Sequence, residues 1–159
     1  MYFFLCYNIV TLGGLMETIV QKRIGCYAII IENNKMALVK KAGGGYKGKY
    51  DLPGGGMDHG EIPVETLRRE CMEEIGCEVD TEELFTVHAV NIKWQMKEDL
   101  IEDLHHIGIL FKVKLKQNEL KEDADGLDSL GAKWLDIKDL TKENTSPFTW
   151  YALEKLGYK

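Results

Sequence analysis

Residues 55–77 read GGMDHGEIPVETLRRECMEEIGC. A glycine-rich turn leads through a single Glu61 into a segment that closes on Arg69-Glu70 and Glu73-Glu74. Pro63 suits the first turn of a helix, where no backbone N–H is needed, and Gly76 suits its C-terminal stop. The spacing predicts a helix over 63–75. At 100° per residue Val64, Leu67, Cys71 and Ile75 share a narrow arc, the core face. Glu70, Glu73 and Glu74 share a second arc about 100° wide beside it. Like charges three and four residues apart destabilise a helix, and anions in its last turn oppose the helix dipole. A hard cation with oxygen ligands would remove that penalty, so the pattern points to metal-assisted chemistry on phosphate rather than to a solvated acidic face.

Outward from this stretch, Ile19–Ile31 is rich in β-branched residues and reads as a strand. Asn33-Asn34 is a turn signal, and Met36–Lys40 is the return strand of a hairpin. Ala42–Gly48 reads as a flexible loop, and Tyr50–Leu52 as a short strand stopped by Pro53 and the glycines. Phe85–Trp94 and His106–Leu115 alternate as strands do. The acidic run Lys97–Leu104 between them, and Glu119–Leu130, read as loops. Lys133–Leu135 is a short strand and Ile137–Leu140 a turn of helix. Ser146 is positioned to cap a final helix that ends near Leu156, with Gly157 as stop. Strands and helices are interspersed, with too few helices for a doubly wound sheet. The expected class is α/β (α+β), a mixed β-sheet sandwiched between two or three helices.

The stretch 55–77 resembles the Nudix box, G-x5-E-x7-R-E-U-x-E-E-x-G-U, where U is bulky and apolar. Gly55, Glu61, Arg69, Glu70, Glu73, Glu74 and Gly76 occupy its seven invariant positions; the U positions hold Cys71 and Cys77, smaller than usual. Leu52-Pro53-Gly54 is similar to the family's lead-in. The resemblance implies an α/β/α sandwich over Tyr27 to Leu156. It implies Mg²⁺, for which Mn²⁺ can substitute, on Glu70, Glu73, Glu74 and a carbonyl near Gly55. Glu70 or Glu73 would also serve as base. Arg69 and Glu61 would orient the loop and the ligands, with Arg69 turned away from the carboxylate arc. The implied reaction is hydrolysis of a diphosphate bond in a nucleoside diphosphate derivative, foremost a nucleoside triphosphate, oxidised forms included, giving the monophosphate and pyrophosphate. A nucleotide sugar or other diphosphate is the alternative substrate, and a non-catalytic nucleotide-sensing module the alternative of another class.

Outside the box the candidates are weaker. Arg23 and Lys41 are the expected phosphate-binding residues, with Lys40, Lys47 and Lys49 beside Lys41. Glu98, Asp99, Glu102 and Asp103, then Asp125 and Asp128, could supply a further ligand or base. His105-His106 would reach a site from a strand start. Trp94, Trp150 and Tyr46 could stack on a base or simply pack. The ADP-ribose branch carries a proline about 16 residues past the box, and this chain has none between Pro63 and Pro147. Trp94 stands where the diadenosine polyphosphate branch tends to carry tyrosine. The segment Ser146–Trp150 echoes the NADH-pyrophosphatase motif only faintly.

The chain has 159 residues, the length of one domain, and carries a net charge of −6 with pI ≈ 5.3. An acidic surface argues against nucleic acid and anionic membrane as partners; the small nucleotide-diphosphate substrate that the resemblance implies would need to arrive with its metal or meet a local basic patch. A homodimer is compatible with the family. The four cysteines, Cys6, Cys26, Cys71 and Cys77, form no CxxC pair and read as reduced thiols of a cytoplasmic protein. Residues 1–15 are apolar, lack Lys and Arg, and are too short for a membrane-spanning helix. They read as an extension or a peripheral strand before a domain over 16–159. A chain beginning at Met16 is therefore expected to fold and keep its activity; failure to fold, seen as a lost cooperative melt, would sink this reading.

Overall fold

The computed structural model describes residues 8–10, 17–123 and 129–159. Strands β1 (Asn8–Val10), β2 (Glu17–Ile29), β3 (Ile31–Glu32) and β4 (Lys35–Lys41) come first. Strands β5 (Tyr50–Asp51) and β6 (Gly54–Gly56) lead into helix α1 (Pro63–Ile75). Strands β7 (Val79–Lys97), β8 (Leu100–Leu115) and β9 (Ser129–Asp136) precede helix α2 (Pro147–Lys155). One sheet is mixed, in the order β1-β2-β8-β7. Within it β2 and β8 run parallel, and β6 pairs antiparallel with the C-terminal half of β2. The other sheet is antiparallel, β3-β4-β5 with β9 on β4. The mixed sheet and two helices agree with the expected class.

Period-two alternation divides the core between the two helices. Cys26, Ala28, Ala37, Val39, Phe111 and Val113 pack with Leu67, Cys71 and Ile75 of α1. Their neighbours Tyr27, Ile29, Met36, Leu38 and Leu110 pack with Phe148, Ala152 and Leu153 of α2. The arc read from the sequence is thus the buried one, and Val64 packs against it. Local signals act as expected. Asn33 and Asn34 both take positive φ (49° and 61°), the geometry of a tight hairpin turn. Glu65 accepts from the Ile62 N–H at 3.1 Å, half of a capping box, and Gly76 ends α1 at φ 69°. The Ser146 hydroxyl accepts from the Thr149 N–H. Cys26, Cys71 and Cys77 are buried free thiols; Cys6 lies outside the described residues.

The acidic run Lys97–Leu104 is not a loop. Only Glu98 and Asp99 turn; β8 begins at Leu100. Polar composition is overruled because β8 lies between β2 and β7, which satisfy its backbone on both sides. Its alternate side chains part company: Glu102 turns inward, and Asp103 turns out to Lys93 at 2.9 Å. The strand read as Lys133–Leu135 likewise extends over Ser129–Asp136. Of residues 1–15 only β1 is described, paired with Thr18–Val20. No helix of the described residues is long and apolar enough to cross a membrane.

Leu67 is fully buried between α1 and the sheet. Leu67→Ala is expected to lower unfolding stability by about 2–5 kcal/mol, read from the urea midpoint.

Candidate active site

Strand β6 consists of Gly54-Gly55-Gly56 and lies flat against β2, with Cys26 opposite Gly55. Gly54 has φ 143°, and a Cβ there would stand 2.1 Å from the Cys26 carbonyl oxygen, so only glycine allows this approach. A Cβ at Gly55 would meet the Glu70 carboxylate at 2.7 Å. The bare strand therefore lets the acidic face of α1 come down onto the sheet edge.

Arg69 joins the loop to the helix. Its Nε and Nη2 donate to the two oxygens of Glu61 at 2.7 and 2.9 Å, a bidentate pair. Nη2 also donates to the Gly56 carbonyl at 3.1 Å. The contact with Glu61 is the one expected. The guanidinium does not turn away from the carboxylate arc, however. Its Nη1 donates to Glu70 at 2.7 Å and to Glu73 at 3.3 Å, because Glu61 draws it across that face. Glu61 also accepts from the Thr66 hydroxyl and the Asp58 N–H. The hydrogen bonds from Arg69, Thr66 and Asp58 together hold its carboxyl at about 2.

The three box glutamates differ in surroundings. Glu73 is the exposed one. Glu70 is half-buried, and burial pushes its carboxyl up against the opposing pull of Arg69. Glu74 is buried: one oxygen accepts from the Gly54 N–H at 2.9 Å, and the other lies 3.3 Å from Lys41 Nζ. Desolvation outweighs Lys41 and raises Glu74 to about 7. All three line one cleft of about 930 Å³. Among the described residues no group of three or more His, Cys, Asp or Glu side chains is already gathered as a metal cage.

The same cleft gathers residues that the sequence left scattered. Arg23 and Lys41 both line it, as do Trp94, Tyr46, Glu102 and His106. Trp150 and Lys49 line a separate, smaller cleft at the start of α2. Lys40 sits over the Tyr50 ring. Lys47, Glu98, Asp99, Asp103 and His105 do not line the main cleft, and Asp125 and Asp128 lie outside the described residues. Sequence reading missed Gln21, Tyr27, Asp51, Ile92 and Leu104 there. Their signal is alternation: Gln21 and Arg23 on β2, Ile92 and Trp94 on β7, and Glu102, Leu104 and His106 on β8 share a face once the strands are paired.

His106 is buried between Tyr27, whose hydroxyl is 2.7 Å from Nε2, and Tyr46, 3.1 Å from Nδ1. Burial first, then the charges of Arg23 and Lys41, lower its pKa to about 3. A neutral ring donates from one nitrogen and accepts at the other, so it orders both tyrosines along the cleft wall.

The family model described as NUDIX domain matches residues 21–156. An ADP-ribose pyrophosphatase of Methanocaldococcus jannaschii is 32% identical over 114 residues, 72% of this chain and 62% of that protein. The human 8-oxo-dGDP phosphatase NUDT18 is 33% identical over 73 residues, 43% of this chain and 23% of its own. The chain thus spans less than two thirds of these relatives. Among solved structures, a MutT NUDIX hydrolase from Burkholderia pseudomallei superposes with TM-score 0.59 at 23% identity, covering 86% of this chain and 98% of its own. A NUDIX hydrolase from Nitrosomonas europaea gives 0.60 at 19%, covering 86% and 88%. At these identities the superpositions establish the fold.

The two shifted carboxyls predict opposite pH dependences. Glu61 lies below its ordinary 4.5, so its stabilisation is complete above pH 4.5 and is lost as pH falls through about 2. Glu74 lies above 4.5, so the unfolded chain loses that proton first and stability declines from pH 4.5 to about 7. In thermal melts across pH, Glu61→Gln is expected to trail the native chain by a margin that shrinks in acid. Glu74→Gln is expected to gain on it between pH 4.5 and 7.

Proposed function

The chain belongs to the Nudix family, and from that membership we propose that it is a Mg²⁺-dependent pyrophosphohydrolase of nucleoside diphosphate derivatives, foremost nucleoside triphosphates. One observation carries the reading: Glu70, Glu73 and Glu74 face the same cleft as the cations Arg23 and Lys41. Acids that hold a cation and bases that hold phosphate are the two halves of such a site.

The donor set fits a hard ion. It is all oxygen, and Gly55 keeps the space before Glu70 open. Glu70 and Glu73, with the Gly55 carbonyl, would hold the metal. Glu74 would join them once Lys41 exchanges its 3.3 Å contact for a substrate phosphate. The bound ion supplies neutralisation of phosphate charge and acidification of a water. Arg23 makes no hydrogen bond or ion pair among the described residues, so its guanidinium is available to phosphate oxygens. Arg69 and Glu61 hold the loop in place without touching substrate. Glu70 or Glu73 would also accept the proton of the attacking water.

A second reading has its own support: the M. jannaschii relative is named an ADP-ribose pyrophosphatase. The missing proline between Pro63 and Pro147 weighs against that substrate here. A sensing module without catalysis is disfavoured because all three box glutamates are kept. The buried free thiols suit a reducing cytoplasm.

With Mg²⁺ and a panel of triphosphates, nucleotide sugars and dinucleotides, pyrophosphate and monophosphate are expected from triphosphates. Activity on nucleotide sugars alone would favour the second reading, and silence across the panel the sensing module. Glu73→Gln is expected to lower kcat at least about a hundredfold with an unchanged melt; an unchanged rate would refute this assignment of the metal ligands.

A further inference from the structure

The cleft continues past the phosphate-facing cations along the N-terminal halves of β2 and β8 and the C-terminal end of β7. There Glu102 and Trp94 are directly opposite one another on β8 and β7, and the indole Nε1–H donates to Glu102 Oε2. A buried carboxylate needs its acceptor capacity used. Glu102 is only 8% exposed, yet this is its one hydrogen bond among the described residues. Among the described residues no buried side-chain oxygen is left sealed without a partner, so Oε1 opens to the cleft that Glu102 lines. Gln21 flanks it on β2, where Ile19 is paired with Glu102 and Gln21 with Leu104. Its amide also lines the cleft and makes no hydrogen bond among the described residues. Ile92 and Leu104 form apolar wall beside the Trp94 ring. Gly45 comes so close that a Cβ would stand 2.5 Å from Ile92 and 3.0 Å from Trp94, which leaves the slot narrow.

We propose that this slot reads the substrate's base and selects guanine. Glu102 accepts the N1–H and the exocyclic amine, Gln21 donates to the ring carbonyl O6, and the purine lies against Trp94. A carboxylate has about four lone-pair sites, so the bond from Trp94 leaves room for two more donors. Guanine presents two adjacent donors and an acceptor along that edge. Adenine presents one donor beside a ring acceptor, which would face the carboxylate with repulsion. Oxidation at C8 leaves the guanine donors unchanged. The spacing suits a nucleotide. Glu102 lies six residues along β8 from Gly108, the register partner of Gly25 at the glycine strand, which is about 20 Å of strand. The phosphates occupy the near end and the base the far end. The proposal rests on the hydrolase reading and deepens it by naming the base.

Calorimetric titration with the monophosphates GMP, IMP and AMP tests the slot without hydrolysis. GMP is expected to bind roughly ten- to a hundredfold tighter than AMP, with IMP, which lacks the amine, between them. Glu102→Gln, shown by its melt to be folded, should collapse the GMP-to-AMP ratio towards unity. Equal affinities in the native chain, no binding of any of the three, or an intact ratio in Glu102→Gln would each overturn the proposal. Pyrophosphate release from GTP and ATP on the same preparation separates the two claims. Hydrolysis with no base preference overturns the guanine slot alone. A GMP preference without hydrolysis of either triphosphate overturns the triphosphate reading and upholds the slot.

Discussion

The Arg69 guanidinium is the contact on which the rest of the site depends. It grips Glu61 with two nitrogens, the Gly56 carbonyl with one of the same two, and Glu70 and Glu73 with the third. Loop, glycine strand and helix are thereby held in one arrangement by a rigid planar fork that lysine could not replace. The same charge lets three glutamates crowd one helix face. Without it Glu70 would meet burial and a neighbouring carboxylate with only the weaker pull of Lys41 to offset them.

The glycine strand is the complementary constraint. A side chain at Gly55 would push Glu70 off the sheet edge, and one at Gly54 would push the strand off β2. With none present, the Gly54 N–H reaches Glu74, and Glu74 in turn meets Lys41 from β4. The site is thus a seam between α1 and the ends of β2, β4 and β6, built by close approach rather than by a preformed cage. Beyond it, His106 and its two tyrosines form an uncharged stretch of wall between the acids and the Glu102–Trp94 pair. Charge, neutrality and then a single carboxylate follow one another along the cleft.

Most of α1 was legible beforehand because its signals are local. Pro63 and Gly76 act within one turn of their own position, and Leu67, Cys71 and Ile75 share a face by helical geometry alone. The Asn33-Asn34 turn was readable for the same reason. The misreadings arose where neighbours far along the chain decide. Leu100–Leu104 is a strand because β2 and β7 flank it, and no property of its acidic residues says so. Arg69 spans two groups of acids because folding brings both within its reach.

The sequence by itself determined the family, the helix that carries the acids, and the bracing of its loop by Glu61 and Arg69. Only the tertiary structure decided which residues complete the cleft. Arg23 and Lys41 were named from the sequence as phosphate-binding candidates, but only β2 and β4 bring them into one cleft with the glutamates. Glu102 belonged to a presumed acidic loop until strand pairing set it against Trp94 and beside Gln21. The reason is physical. A helix repeats its own neighbours every three or four residues, so its face is written in consecutive letters. A sheet joins residues about eighty positions apart, such as Arg23 and His106, and that register is set by packing between the strands.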